Sequence, residues 1–138
     1  MAAKRKGSNA ERELAHMFHD KGWAAMRAAG SGSTTLPSPD IIAGNIKRHL
    51  AIECKSIKND SQYFPEDEIQ QLKTFANRFG AEPWIGIRFD FLKWFFVHLD
   101  DVKKGKGKLY VITLDYAQKK GKSFDELIGI FKQEKLTL

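Results

Sequence analysis

A chain of 138 residues with 42% hydrophobic side chains is the size of one ordinary core, and too small for two. Its 23 lysines and arginines outnumber 17 acidic residues, a formal charge of +6 that points to a polyanionic partner, nucleic acid ahead of an anionic membrane. The single cysteine, Cys54, excludes an intramolecular disulfide framework and a multi-cysteine zinc site, and no apolar run reaches the roughly 18 residues of a membrane-spanning helix.

The opening MAAKRKGSNAE is basic but holds no apolar segment of the kind a secretory signal requires, so a cytoplasmic, nucleoid-associated protein is expected. Residues 1–7 have nothing to bury and read as a flexible basic arm on a single domain spanning 1–138. A helix is expected from Ser8, where Ser8 and Glu11 form a capping-box pattern, Ala10, Leu14, Met17 and Phe18 recur at helical spacing, and Gly22 supplies a stop. Trp23 to Arg27 then reads as a short strand, and Ala28 to Ser38, rich in Gly, Ser and Thr, as a flexible loop.

Asp40 to Ala43 and Leu50 to Ser56 are β-rich segments separated by Gly44, Asn45 and a polar run, the pattern of a hairpin. A polar stretch leads to Pro65, which can open a second helix with Glu66, Asp67 and Glu68 in its first turn, a stripe of Ile69, Leu72, Ala76 and Phe79, and Gly80 as its stop. Trp84 to Phe89 and Lys93 to Val97 follow as adjoining strands, Val102 to Lys108 as a basic loop, and Leu109 to Thr113 as a further strand. Ser123 and Glu126 repeat the capping-box pattern ahead of Leu127, Ile128, Ile130 and Phe131, a last helix. The order predicts an α/β fold in which a central mixed sheet is flanked by helices.

The hairpin carries the chemistry. Pairing Ala43 with Leu50 sets Ile41 opposite Ile52 and Asp40 opposite Glu53, and side-chain alternation puts Lys55 on the face of Glu53 while Cys54 points away. Two carboxylates facing each other across strands repel, so the arrangement needs a cation, and a hard divalent metal with oxygen ligands suits it. The same three residues also describe a solvated strand face with a lateral ion pair, and spacing by itself does not separate the two readings.

Further motifs bear on the choice: Gly7 to Leu14, Arg27-Ala28-Ala29-Gly30-Ser31, Pro39 to Ala43, Ile52 to Ser56 and Phe75 to Gly80. In this order they resemble the PD-(D/E)xK nuclease superfamily, and more specifically the archaeal-type Holliday junction resolvases. The match covers most of the chain and weakens after about residue 90. The resemblance implies a restriction-endonuclease-like fold and a homodimer that binds four-way DNA junctions and resolves them by paired symmetric nicks, in recombination and repair. The cuts would be Mg²⁺-dependent, with Mn²⁺ able to substitute, and would leave a 5′-phosphate and a 3′-hydroxyl. It also implies that Glu11, Asp40 and Glu53 bind the metal, that Lys55 orients or activates the attacking water, and that Arg12, Arg27 and Ser31 contact DNA phosphates. Glu11 has the capping box as an alternative role, and Arg12 falls on the solvent side of its helix.

Two cuts from a chain with one acidic cluster call for a C2 dimer, and the apolar helix Phe124 to Phe131 is the nominated interface, with Phe75 and Phe79 of the second helix beside it. Gln70 and Gln71 lie where related nucleases place a further polar residue, although a solvated helix face describes them as well. His16, His19, His49 and His98 read as surface residues, and Lys103, Lys104, Lys106 and Lys108 suit either DNA-backbone tracking or solubility. The terminal Gln133 to Leu138 resembles a sliding-clamp-binding peptide without its paired aromatics. The competing functions are a related nuclease acting on duplex or flapped DNA, and a non-catalytic subunit that binds branched DNA.

Overall fold

The computed structural model describes residues 2–28 and 36–130. In chain order the elements are α1 (Ala2–Asp20), β1 (Ala24–Arg27), β2 (Ile41–Gly44), β3 (His49–Ile57), β4 (Ser61–Pro65), α2 (Glu66–Phe79), β5 (Glu82–Phe89), β6 (Trp94–His98), β7 (Lys103–Lys104), β8 (Leu109–Thr113), α3 (Leu114–Lys120) and α4 (Phe124–Ile128). Five strands form a mixed sheet ordered β1-β2-β3-β5-β6, in which only the β3-β5 pair is parallel. A parallel neighbour needs a crossover, and β4 with α2 provides it.

Alternation along β3 divides the core into two faces. Leu50, Ile52 and Cys54 pack with Leu14, Phe18 and Trp23 beside α1, while Ala51 packs with Ile69, Leu72 and Ala76 of α2. The β2-β3 register is the one expected from the hairpin, with Ile41 opposite Ile52 and Ala43 opposite Leu50. The expected helix stops also hold. Gly22 and Gly80 adopt left-handed backbone (φ 84° and 83°), a conformation that costs glycine nothing.

Four expectations are corrected. α1 starts at Ala2, so residues 2–7 continue the helix where a separate arm was expected, and Ser8 sits inside a helix instead of capping it. The cause is propensity, since Ala2, Ala3, Lys4, Arg5 and Lys6 are all good helix formers and only Gly7 opposes them. The polar stretch before Pro65 is strand β4, paired antiparallel with β8, and Phe64 within it is fully buried. The basic loop holds β7, which completes this second sheet of order β4-β8-β7. Helix α3 was not foreseen, although Thr113 caps it by accepting from the Tyr116 amide at 3.0 Å.

The capping box of α4 forms as expected, with Ser123 Oγ accepting from the Glu126 amide at 3.1 Å and Glu126 Oε1 accepting from the Ser123 amide at 2.9 Å. Gly129, at φ 84°, ends this helix well short of Phe131, which lies outside the described residues. Phe124 and Leu127 are buried against Phe18 and Phe96, so the face nominated for a dimer is spent in the molecule's own core.

Candidate active site

Asp40 enters β2 behind the buried Pro39 and is fixed from two sides. Its carbonyl accepts from the Ala28 amide at 2.9 Å, and its Oδ2 accepts from the Cys54 amide at 2.8 Å, so the side chain takes the place of the next rung of the β2-β3 ladder. Alternation then sends Glu53 and Lys55 toward α2, opposite in direction to Cys54. Burial drives the Cys54 thiol well above its ordinary value, which makes it an inert core residue.

Lys55 Nζ lies 3.3 Å from Glu68 Oε1 at the start of α2, and 5.9 Å from the centroid of the Phe64 ring. From the other side of the sheet, α1 contributes Glu11, whose Oε1 accepts from Arg27 Nε at 3.0 Å, while Arg27 Nη2 donates to Ser8 Oγ at 3.1 Å. Arg27 therefore ties the end of β1 to α1 and fixes the Glu11 carboxylate.

The electrostatics are those of crowded, desolvated acids. Burial first, then the charge on Asp40, push the Glu53 carboxyl up to about 8 against the opposing pull of Lys55. Burial also raises Asp40, offset by the Cys54 amide and Lys55, and burial with the Asp40 charge raises Glu11 against Arg27. A donor set made only of carboxylate oxygens suits a hard divalent cation. Among the described residues no three His, Cys, Asp or Glu side chains already stand at ligating spacing. Such a set leaves an ion positions for water and phosphate beside its protein carboxylates.

Comparison with known proteins places the chain in a family. The family described as archaeal Holliday junction resolvase (Hjc) matches residues 2–136. The chain belongs to the archaeal Holliday junction resolvase family. Among its relatives, the crossover junction endodeoxyribonuclease Hjc of Archaeoglobus fulgidus is 38% identical over 91% of this chain and 97% of its own. The enzyme of the same name from Methanocaldococcus jannaschii is 33% identical over 96% of this chain and 93% of its own. The solved structure of Archaeoglobus fulgidus Hjc, a Holliday junction resolvase, superposes with a TM-score of 0.82 at 35% identity, covering 93% of this chain and 99% of that one. The restriction-endonuclease-like α/β architecture expected from the resolvase resemblance is the one found.

Within this resolvase fold the remaining candidates separate clearly. Arg12 is exposed and donates to Asn9 Oδ1 at 3.3 Å, on the solvent side of α1 as its position required. Ser31 and the clamp-like Gln133 to Leu138 lie outside the described residues. Gln70 and Gln71 are exposed, and the α2 residue that reaches the cluster is Glu68. The signal for it was available, because Glu68 stands four residues before Leu72 and eight before Ala76, on the stripe that faces the sheet. His16, His19 and His49 are exposed, and the His98 ring accepts from the Asp100 amide at 3.1 Å. No helix among the described residues is long and apolar enough to cross a membrane.

Proposed function

We propose that this chain is a divalent-metal-dependent endodeoxyribonuclease that binds four-way DNA junctions and resolves them by paired, symmetric nicks. The observation that carries the reading is the convergence of Asp40, Glu53 and Lys55 on one face of the β2-β3 hairpin, where the carboxylates repel and a cation relieves them. The curated relatives named crossover junction endodeoxyribonuclease support the same reading.

Glu11, Asp40 and Glu53 are the carboxylates from which such an ion draws its one or two protein ligands, with Arg27 and the Cys54 amide holding the first two in place. When bound, Mg²⁺, or Mn²⁺ in its stead, supplies the Lewis acid that in-line displacement at a phosphodiester needs. Lys55, aimed by Glu68, sets a positive charge where the attacking water and the phosphate oxygens gather. Arg12, Arg27 and Ser31 are assigned to contacts with DNA phosphates. Because the sequence holds no base-reading module, recognition rests on phosphate positions and branch shape.

Two nicks related by a two-fold axis require two such sites, which a C2 dimer provides. The surface that suits it is the one around Phe79, Met26 and Leu36, all exposed, where Phe79 stacks on Phe75 at 5.4 Å and lines one groove with Ile42 and Met26 of the neighbouring strands.

The function is tested with a labelled four-way junction, a flap and a linear duplex, each incubated with Mg²⁺ and with EDTA. Cleavage of the junction alone, abolished by EDTA, is expected. Equal cutting of the duplex would point to a general nuclease, and binding without cleavage in Mg²⁺ to a non-catalytic module.

A further inference from the structure

The turn between β5 and β6 presents an aromatic ring that the fold itself does not use. Phe91 is fully exposed, and it is the only non-glycine residue with positive φ (63°) among the described residues. A bulky side chain in left-handed backbone is strained, and an aromatic ring left in water gains nothing from burial. Glycine would relieve both faults.

The turn is nevertheless braced with care. The Asp90 amide donates to the Ile57 carbonyl at 3.0 Å and the Leu92 amide to the Phe89 carbonyl at 3.0 Å. The Arg88 guanidinium donates to the Phe89 and Leu92 carbonyls, while its Nε donates to Glu13 Oε1 of α1 at 2.9 Å. Trp94 Nε1 donates to the same Glu13 oxygen at 2.7 Å. One salt bridge and its satellites therefore tie the backbone of the tip to α1, so that Phe91 is presented from a braced turn.

Its location is specific. β3 and β5 run parallel with Ser56 beside Arg88, so the tip emerges at the carboxyl end of the strand that carries Glu53 and Lys55. Phe91 borders a cavity of about 360 Å³ with Asn9, Ala10 and Glu13 of α1 and Ser56 of β3, on the α1 side of the sheet from which Glu11 reaches the site.

We propose that Phe91 stacks on an unpaired nucleobase at the branch point when the scissile phosphate lies in the candidate active site. Every base has a π face, so a stacking platform recognises an opened branch without reading sequence, whereas paired bases in a linear duplex offer it no face. This contact rests on the junction-resolving function proposed above.

The test measures affinity for a four-way junction and for a linear duplex of matching length, both without divalent metal so that the DNA stays intact. Phe91→Ala is expected to weaken junction binding about 5- to 50-fold and duplex binding less than twofold, and Phe91→Trp to restore the junction affinity. A 2-aminopurine placed at the branch point should change fluorescence with the wild type and Phe91→Trp but not with Phe91→Ala. Phe91→Gly should raise Tm while lowering junction affinity, a split that a purely structural role would not produce. Unchanged junction affinity in Phe91→Ala, an equal loss on duplex, or a change of oligomeric state without a change in DNA binding would each overturn the contact. A wild-type chain that binds the junction no better than the duplex would overturn the junction function and the contact together.

Discussion

Glu53 is the carboxylate of the candidate site pushed furthest above its ordinary value. With its carboxyl raised to about 8, it holds a proton at neutral pH in the metal-free protein, and an entering ion must displace it. Metal affinity should then rise with pH, by up to about tenfold per unit until about pH 8, and calorimetric titration in two buffers of different ionisation enthalpy should count the released proton. For stability the sign is opposite. A carboxyl whose folded value lies above its ordinary 4.5 favours the folded state only while protonated, so stability is lost as pH rises from about 4.5 toward 8. Metal-free Glu53→Gln should accordingly be more stable than the wild type at pH 9, by roughly 1–3 kcal/mol after discounting for the partly open site, with the gap closing at pH 4.5. Equal Tm differences at both values would contradict this. Glu68→Gln removes a negative charge that raises both Asp40 and Glu53, and should shift the rising limb of the cleavage rate to lower pH. Asp40, Glu53 and Lys55 were legible in the sequence because strand pairing obeys a constant index sum. The Arg27 bond to Glu11 was not, since nothing local links positions sixteen residues apart.

At the scale of elements, what could be read from the sequence was what is written locally. The capping box of α4 and the glycine stops of α1 and α2 depend on residues within a few positions of one another, and all were anticipated. Strand β4 was hidden because its partner, β8, lies some fifty residues away, with Phe64 against Tyr110. A polar Ser-Gln-Tyr-Phe run becomes a strand only when that partner supplies the ladder and a core receives Phe64. The capping box offers a quantitative check: Ser123→Ala should cost about 1 kcal/mol, read as a lower Tm with the unfolding slope in denaturant unchanged. A larger loss would mean that α4 also holds the core around Phe124 together.

For the whole molecule, with α4 buried, the apolar surface spanning α2 and the β1-β2 edge is the proposed site of self-association. Phe79→Arg should turn a dimer into a monomer in sedimentation and suppress coordinated cutting of both strands, with the fold intact by circular dichroism; a variant that still sediments as a dimer would move the interface elsewhere. The proposed dimer, the carboxylate cluster and the excess positive charge meet in one expectation about the product. The most direct measurement is strand-resolved mapping of the nicks on a four-way junction labelled in turn on each strand, comparing the wild type with Asp40→Asn in Mg²⁺. Two nicks at symmetry-related positions on opposing strands are expected from the wild type, with none from Asp40→Asn although it still binds the junction. Scattered nicks on all four strands, or undiminished cutting by Asp40→Asn, would contradict the account.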